Sequence, residues 1–240
     1  MTEYALITGA SSGIGLEFAR IAAFNRINLI LLSRNSEKLI RLQKELEEQY
    51  SIKVLAVGCD LTEHDAVEKI AALLSTRDIV PNILINSAEF GIYGPFSQLG
   101  VDSEANMIQL NVVSMTELTK VIYRQMCKRG SGRILNISSV AGFMPGPLMA
   151  AYHASKAYVL SFSEALAAEA KGSGVSVTVL CPGPKRKFPT ARKVAKYGWK
   201  SMMKGKTIAV HGRKYRWLLF LIRFLPRKTV VKIAYKMQKS

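Results

Sequence analysis

The sequence predicts an α/β fold, a doubly wound parallel sheet with helices on both faces. Short apolar runs alternate with segments of helical hydrophobic period, which is typical of right-handed βαβ units. The apolar runs are hydrophobic nearly throughout, as strands covered on both faces should be. The predicted strands are Tyr4–Thr8, Asn28–Leu32, Lys53–Val57, Ile83–Asn86, Gly132–Ile137, Ser176–Leu180 and Thr207–Val210; the predicted helices include Ser36–Tyr50, Thr62–Ser75, Ser103–Arg129 and Ala150–Lys171.

Length and composition fit one domain of this class. Of the 240 residues, 49% are apolar and 21% are charged, which is enough apolar material for a packed core. Three cysteines without a CxxC pair argue against a disulfide scaffold or a zinc site and suit a reducing compartment, so we expect a cytoplasmic protein. The apolar run Trp217–Ile222 is far below the roughly 20 residues that span a bilayer.

Charge is distributed unevenly along the chain. Residues 1–170 hold 15 Lys/Arg and 17 Asp/Glu, whereas residues 171–240 hold 19 Lys/Arg and no acidic residue. A near-neutral body therefore joins a strongly basic tail. Such asymmetry concerns partners and solubility rather than fold.

A glycine-rich turn follows the first predicted strand. It reads Thr8-Gly9-Ala10-Ser11-Ser12-Gly13-Ile14-Gly15 and leads into a helix. Glycine allows positive φ and close approach of a ligand to the backbone, and the helix N-terminus offers free N–H groups to a pyrophosphate. The turn alone could be a tight βα connection. Its place at the first βα junction favours a Rossmann-type dinucleotide site.

The end of the second predicted strand favours NADP(H) over NAD(H). An NAD site places an acidic residue there for the adenosine ribose hydroxyls. This chain has Ser33-Arg34 instead, so no carboxylate repels a 2′-phosphate, and Arg34 could bind one bidentately. The alternative is that Arg34 is an ordinary solvated side chain.

Further motifs occur in the order found in one family. Asp60-Leu61 follow the third strand, Asn111 lies in a long helical stretch, Ser139 follows the fifth strand, and Tyr152 precedes Lys156 by four residues. Over its first 184 residues the chain resembles the short-chain dehydrogenases/reductases. More loosely, it is similar to the branch of 3-oxoacyl-thioester reductases and 17β-hydroxysteroid dehydrogenases.

The chemistry of carbonyl reduction explains these residue types. A tyrosine with a pKa near 10 is a poor general acid–base at neutral pH. Lys156 lies one helical turn from Tyr152, and its charge should stabilise the phenolate and lower the tyrosine pKa. Ser139 would hydrogen-bond the substrate oxygen. The resemblance implies that Lys156 also binds the nicotinamide ribose and that Asn111 holds a water in a proton relay.

The predicted site therefore has a catalytic and a cofactor part. Ser138 could act in place of Ser139, Asn111 could merely fill a helix, and Asp60 could be a residue of a helix N-terminus rather than an adenine contact. The three histidines show no metal-ligand spacing, and we predict no metal. The catalytic residues are Asn111, Ser139, Tyr152 and Lys156; the NADP(H) contacts are Gly9, Ser11, Ser12, Gly13, Ile14, Gly15, Arg34, Asp60, Leu61, Asn86, Ala88, Tyr152, Lys156, Pro182 and Gly183.

Two positions depart from the family pattern. Asn86-Ser87-Ala88-Glu89 replaces the usual Asn-Asn-Ala-Gly, so Glu89 should bring a negative charge near the dinucleotide, although Gly91 could relieve strain. Lys187 stands where the family commonly has a threonine that binds the nicotinamide carboxamide. The following segment, Phe188 to Val194, is about 20 residues shorter than the lid that usually excludes water and recognises substrate.

We predict a single reductase domain over 1–240, with a core at 1–184 and a short substrate-lid region and basic extension at 185–240. Its substrate would be a hydrophobic carbonyl compound, steroid-like or 3-oxoacyl, and the family implies a dimer or tetramer. The tail could pack on the domain or a subunit partner, rest on an anionic membrane surface, or steer an anionic substrate; no nucleic-acid motif accompanies its charge. The rival is a nucleotide-binding protein with reduced or lost catalysis.

Overall fold

The computed structural model describes residues 3–183 and 190–239. Its centre is one sheet of seven parallel strands in the order β3-β2-β1-β4-β5-β6-β7, which confirms the predicted doubly wound fold. The strands are β1 (Tyr4–Thr8), β2 (Asn28–Ser33), β3 (Val54–Gly58), β4 (Ile83–Asn86), β5 (Gly132–Ile137), β6 (Val175–Cys181) and β7 (Ile208–Val210).

Helices connect the strands on both faces. In the described ranges they are α1 (Gly13–Phe24), α2 (Ser36–Tyr50), α3 (Ala66–Thr76), α4 (Val101–Ile108), α5 (Met115–Arg129), α6 (Ala150–Glu169), α7 (Ala191–Met203), α8 (Arg213–Ile222) and α9 (Arg227–Lys239). Short 3₁₀ turns lie at Phe96–Gln98 and Val140–Phe143, and a π-helical turn spans Gln109–Ser114.

Successive residues of a strand point to opposite faces of the sheet, and each face packs against its own layer of helices. On β1, Ala5 and Ile7 pack with α1, α2 and α7, whereas Leu6 packs with α3, α5 and α6. Because both faces are covered, the strands have to be apolar at successive positions. The register pairs Thr8 with Leu32 and Asn86 with Asn136, so the carboxyl ends of the central strands meet at one edge of the sheet. That edge is where an open α/β sheet binds its ligand.

Two predicted helices differ from the observed ones. Helix α3 begins at Ala66 rather than at Thr62, because the Asp60 carboxylate accepts hydrogen bonds from the Thr62 N–H (2.9 Å) and hydroxyl (2.8 Å) and holds a turn there. The predicted helix Ser103–Arg129 is divided into α4 and α5 by the π-helical turn. Both differences fall beside the site described below.

Residues 190–239 of the basic C-terminal region form three helices. Helix α7 packs on α1, and Gly198 brings it close to Leu180 and Phe18. Helices α8 and α9 follow β7 and insert mainly Leu219, Val230 and Ala234 into the domain. Within the described ranges, no helix combines the length and the hydropathy needed to cross a bilayer.

Candidate active site

The glycine turn between β1 and α1 has the backbone that its sequence predicts. Gly9 (φ +67°) and Gly13 (φ +59°) adopt the left-handed conformation that favours glycine. A Cβ on Gly9 would lie 2.9 Å from the Ala88 backbone nitrogen, and one on Gly13 would point into open space. The Ser12 side chain makes no capping hydrogen bond to α1. Free N–H groups at a helix N-terminus beside an open glycine suit a pyrophosphate.

The residues expected to meet the adenosine end lie beside this turn. The hydroxyls of Ser11 and Ser33 are 2.7 Å apart, and Arg34 is exposed next to them. Leu61 is buried, while Asp60 holds the turn that precedes α3. The donor set fits a phosphorylated adenosine, since Arg34 brings positive charge and neither Ser33 nor Arg34 brings a carboxylate. The contacts themselves stay predictions.

Tyr152 and Ser139 lie together at the carboxyl edge of the sheet. Ser139 follows β5 and its hydroxyl lies beside the Tyr152 side chain. The Ser139 Oγ also accepts a hydrogen bond from the Ala141 N–H at 3.1 Å. Ser138 is turned away, because its buried hydroxyl donates to the Lys156 carbonyl at 2.7 Å. The geometry therefore favours Ser139 over Ser138 as the hydroxyl that meets a substrate.

Lys156 is held beneath Tyr152 in the interior. Its side chain is only 1% exposed, and its Nζ lies 5.7 Å from the centre of the Tyr152 ring. The ammonium group donates to the Ile137 carbonyl at 3.1 Å and forms an ion pair with Glu89. Glu89 thus meets the lysine directly. A buried ammonium group requires such partners.

The pKa of Tyr152 is raised in the structure, and the expectation that it is lowered was wrong. Burial of the phenol raises the pKa most, the Glu89 carboxylate raises it further, and the hydrogen bond with Ser139 lowers it. The main physical reason is that burial disfavours the charged phenolate, and the Glu89 carboxylate, paired with Lys156, adds to it. Sequence spacing predicted the Tyr–Lys pair but not its electrostatic surroundings.

Asn111 lies in the π-helical turn and reaches across to the loop after β4. Its side chain accepts a hydrogen bond from the Phe90 N–H (3.2 Å) and donates to the Phe90 carbonyl (2.9 Å). It also donates to the Ser155 hydroxyl at 3.3 Å. Asn111 therefore links the Glu89 loop to α6, and a water-holding role stays a prediction. π-turns inside α-helices frequently occur at functional sites.

The remaining predicted cofactor contacts surround the turn. Thr8 Oγ1 accepts hydrogen bonds from the N–H groups of Ser87 and Ala88, which fixes the β4 loop against Gly9. Asn86 is engaged inside the protein, because its amide donates to Thr119 (2.9 Å) and Asn136 (2.8 Å). This network is consistent with a structural role for its amide.

Comparisons with known proteins identify the family. Residues 3–197 match the family model described as short chain dehydrogenase. The chain belongs to the short-chain dehydrogenase family. It is 30% identical to the human very-long-chain 3-oxoacyl-CoA reductase over 99% of this chain and 80% of the relative. It is 36% identical to the mouse 17-beta-hydroxysteroid dehydrogenase type 3 over 76% of this chain and 60% of the relative.

Solved structures agree with this assignment. A short-chain dehydrogenase from Sphingobium yanoikuyae in complex with NADPH has a TM-score of 0.84 and 26% identity, covering 94% of this chain and 97% of that one. A bulky-bulky ketone specific alcohol dehydrogenase from Comamonas testosteroni has a TM-score of 0.84 and 28% identity over 94% of this chain and 96% of that one. The bovine very-long-chain 3-oxoacyl-CoA reductase is 33% identical, and the match spans only 61% of its length.

The C-terminal helices of this short-chain dehydrogenase contribute residues that the sequence did not indicate. Gln238 Nε2 lies 2.9 Å from His153 Nε2, and the Gln238 carbonyl accepts a hydrogen bond from the Tyr93 hydroxyl at 2.8 Å. The ring of Tyr215 packs against Gly183, so closely that a Cβ there would overlap it. No motif marks these contacts, because Gln238 and His153 are 85 residues apart.

An apolar groove runs between α6 and the C-terminal helices. It has a volume of about 730 Å³. One wall comes from the 142–147 loop and from the α6 face that carries Ala150, His153 and Ala154; the other comes mainly from Leu219, Ile222 and Leu225. Among the described residues, its lining includes His153 of α6 but neither Tyr152 nor Ser139. Arg223 and Arg227 also line it.

The predictions for Lys187, the short lid, His153 and a metal site can also be compared with the structure. Lys187 lies outside the described residues, as do Phe188 and Pro189 of the predicted short lid, whereas its remaining part, Thr190 to Val194, forms the start of α7. His153, expected to be solvated or structural, is buried and structural: the 2.8 Å contact of its Nδ1 with the Met144 carbonyl places the ring proton on Nδ1. In residues 3–183 and 190–239, no group of three or more His, Cys, Asp and Glu residues is arranged to hold a metal ion.

Proposed function

We propose that the protein is an NADP(H)-dependent oxidoreductase that interconverts a carbonyl and a secondary alcohol on a hydrophobic substrate. The observation that carries this proposal is the meeting of Ser139, Tyr152 and Lys156 at the sheet edge that also holds the glycine turn. Family membership supports the reaction class.

The residues present fit the cofactor. Gly9, Gly13 and the N-terminus of α1 would hold the pyrophosphate, and Lys156 would meet the nicotinamide ribose. When bound, the nicotinamide supplies or accepts the hydride. Arg34 beside the Ser11–Ser33 hydroxyl pair supports a preference for the 2′-phosphate.

Tyr152 would handle the proton in this reaction. In the reduction direction its hydroxyl donates to the substrate oxygen while Ser139 hydrogen-bonds the same oxygen and stabilises its growing charge. With its pKa raised, the phenol is protonated at neutral pH and so holds the proton that reduction consumes, but it is a weaker acid than an ordinary tyrosine. Lys156, with Asn111 and Ser155 behind it, would hold the tyrosine in place and carry charge beneath it.

The groove supports a hydrophobic substrate. Its walls are mostly apolar, so it could hold the apolar part of an extended substrate. The curated relatives are named for 3-oxoacyl-CoA and 17-beta-hydroxysteroid substrates. We propose a 3-oxoacyl or steroid-like compound on these grounds.

An assay of NADPH absorbance with a panel of 3-oxoacyl thioesters and ketosteroids tests the proposal. Tyr152→Phe should lower kcat by about 100-fold or more, because it removes the general acid. Tyr158→Phe is the matched control: Tyr158 lies on the same helix but is 40% exposed and hydrogen-bonded to Thr116. Equal activity of Tyr152→Phe and the unmodified protein would overturn the proposed mechanism.

A second candidate is a nucleotide-binding protein with reduced or lost catalysis. The ion pair of Glu89 with Lys156 favours it, because it engages the ammonium group that the reaction needs. The same experiment separates the two functions. NADPH binding by fluorescence without turnover of any carbonyl compound, in both the unmodified protein and Tyr152→Phe, would support the second candidate.

A further inference from the structure

Helix α8 carries two apolar stripes rather than one. The inner stripe, Tyr215, Leu218, Leu219 and Ile222, faces the domain: Leu219 is buried, Ile222 lines the groove, and Tyr215 packs on Gly183. The outer stripe is Trp217, Phe220 and Leu221 on α8 and Phe224 in the turn directly after it. Both have the i, i+3, i+4, i+7 spacing of one helix face.

The outer stripe is exposed along its whole length. Trp217 is 68% and Phe224 72% exposed, and Phe220 and Leu221 are also more than half exposed. The rings touch edge to face, with centres 6.2 Å apart for Trp217 and Phe220 and 5.3 Å apart for Phe220 and Phe224. A helix that is apolar on both sides is normally covered on both sides, and a contiguous exposed patch marks an interaction surface.

Positive charge borders this stripe. Arg213, Lys214, Arg216 and Arg223 are exposed on α8 or directly after it. The sequence from 171 to 240 contains no acidic residue to balance them. The surface thus suits a partner that is apolar in its interior and anionic at its boundary.

We propose that the outer stripe docks on an anionic lipid bilayer, with α8 lying in the plane of the membrane surface. Trp and Phe side chains favour the boundary between headgroups and acyl chains, and Lys and Arg favour the anionic headgroups. At ten residues α8 can lie on a bilayer but cannot span one. A second copy docking through the same face would bring like charges together, so lipid is the better occupant.

Vesicle co-sedimentation tests the docking. The full chain should bind vesicles of phosphatidylcholine mixed with phosphatidylglycerol, bind phosphatidylcholine alone more weakly, and lose affinity in high salt. The triple variant Trp217→Ser, Phe220→Ser, Phe224→Ser should bind the mixed vesicles about 100-fold more weakly or worse, because burial of three large side chains is lost. No binding by the unmodified chain would overturn the proposal.

Phe24→Ser is the matched control. Phe24 is as exposed as Phe224, at 72%, but lies at the end of α1. It should leave vesicle binding unchanged. Equal loss from Phe24→Ser and from the triple variant would show non-specific adsorption and overturn the assignment of the outer stripe.

Tryptophan emission separates insertion from electrostatic adsorption. The chain has two tryptophans, so Trp199→Phe leaves Trp217 as the single reporter. Its emission should shift to the blue on the mixed vesicles. Salt-sensitive binding without a blue shift, with the triple variant binding normally, would show that charge alone holds the protein and would overturn the role of the stripe.

Light scattering without lipid tests whether a second copy of the chain covers the outer stripe. The molar mass it gives also tests the predicted dimer or tetramer. The unmodified chain and the triple variant should have the same mass. A smaller mass for the triple variant would make the outer stripe a subunit interface and overturn the proposal. Circular dichroism of the variant should be unchanged, since the three replaced side chains are exposed.

Discussion

The sheet core and the C-terminal helices place apolar side chains differently. In the core, Phe18 on α1 is fully buried, and the strands are apolar because both faces of the sheet are covered. On α8, Phe220 is 52% exposed although it belongs to an equally regular stripe. Hydrophobic periodicity therefore identifies a face that is to be covered, but not what covers it.

A matched pair of substitutions tests this difference between buried and exposed apolar side chains. Phe18→Ala should lower the free energy of unfolding by about 3–5 kcal/mol, because it leaves a cavity in the core. Phe220→Ala should change it by less than about 0.5 kcal/mol, because little burial is lost. Urea unfolding measures both. Similar losses would mean that the outer stripe is covered within the protein itself.

A second test compares an arginine at the predicted cofactor site with an arginine on the exposed surface of α2. Arg34→Ala should reduce the preference for NADPH over NADH by about 10–100-fold, since hydrogen bonds to a charged partner contribute about 1.5–3 kcal/mol. KM values for both nucleotides measure it. Arg41→Ala, which removes an exposed arginine of α2, should leave the ratio unchanged; an unchanged ratio in Arg34→Ala would remove that residue from the site.

Glu89→Gln tests the electrostatics of the core site. Removing the carboxylate should lower the raised pKa of Tyr152, because a negative neighbour disfavours the phenolate. Both pH profiles should then shift to lower pH. Alcohol oxidation, which needs the phenolate, should begin to rise at a lower pH than in the unmodified protein. Carbonyl reduction, which needs the phenol, should begin to fall with rising pH at a lower pH than in the unmodified protein. Below the pKa, each unit of its fall raises the phenolate fraction about tenfold.

The pH dependence of kcat/KM in both directions measures this change. Glu37→Gln, at an exposed position on α2, is the control and should leave both profiles in place. Identical profiles for Glu89→Gln and the unmodified chain would show that Glu89 does not act on Tyr152.

The smallest expected effect is at the contact between the two regions. Gln238→Ala removes the hydrogen bond with His153 and should lower the free energy of unfolding by about 1 kcal/mol. It should also raise KM for extended substrates, because the end of α9 is less firmly held beside Tyr93. Gln43→Ala on α2 is the control. A KM that is unchanged would place α9 outside the substrate path.

Local pattern predicted much of this molecule. Hydrophobic periodicity and turn residues predicted the seven strands to within about one residue of their observed ends. Both signals are local, because each extends over only a few positions of the sequence. Motif order predicted that Ser139, Tyr152 and Lys156 belong to one catalytic site. The division of the helix near Asn111 was missed, because π-turns are rare and no glycine or proline marks this one in the sequence.

Contacts between distant segments could not be predicted in the same way. The raised pKa of Tyr152 depends on burial and on Glu89, which reaches Lys156 from another loop. Likewise, Gln238 and Tyr215 meet the site only because α8 and α9 fold back on it. Such pairings are set by tertiary packing, so no single window of sequence contains them.

The two stripes of α8 occupy different positions of the same three turns. A substitution at Leu219 or Ile222 alters the wall that a bound molecule touches and leaves the outward side chains as they are. A substitution at Trp217 or Phe220 does the reverse. If the groove binds the substrate and the outer stripe binds lipid as proposed, one short helix carries both properties at positions that can change independently.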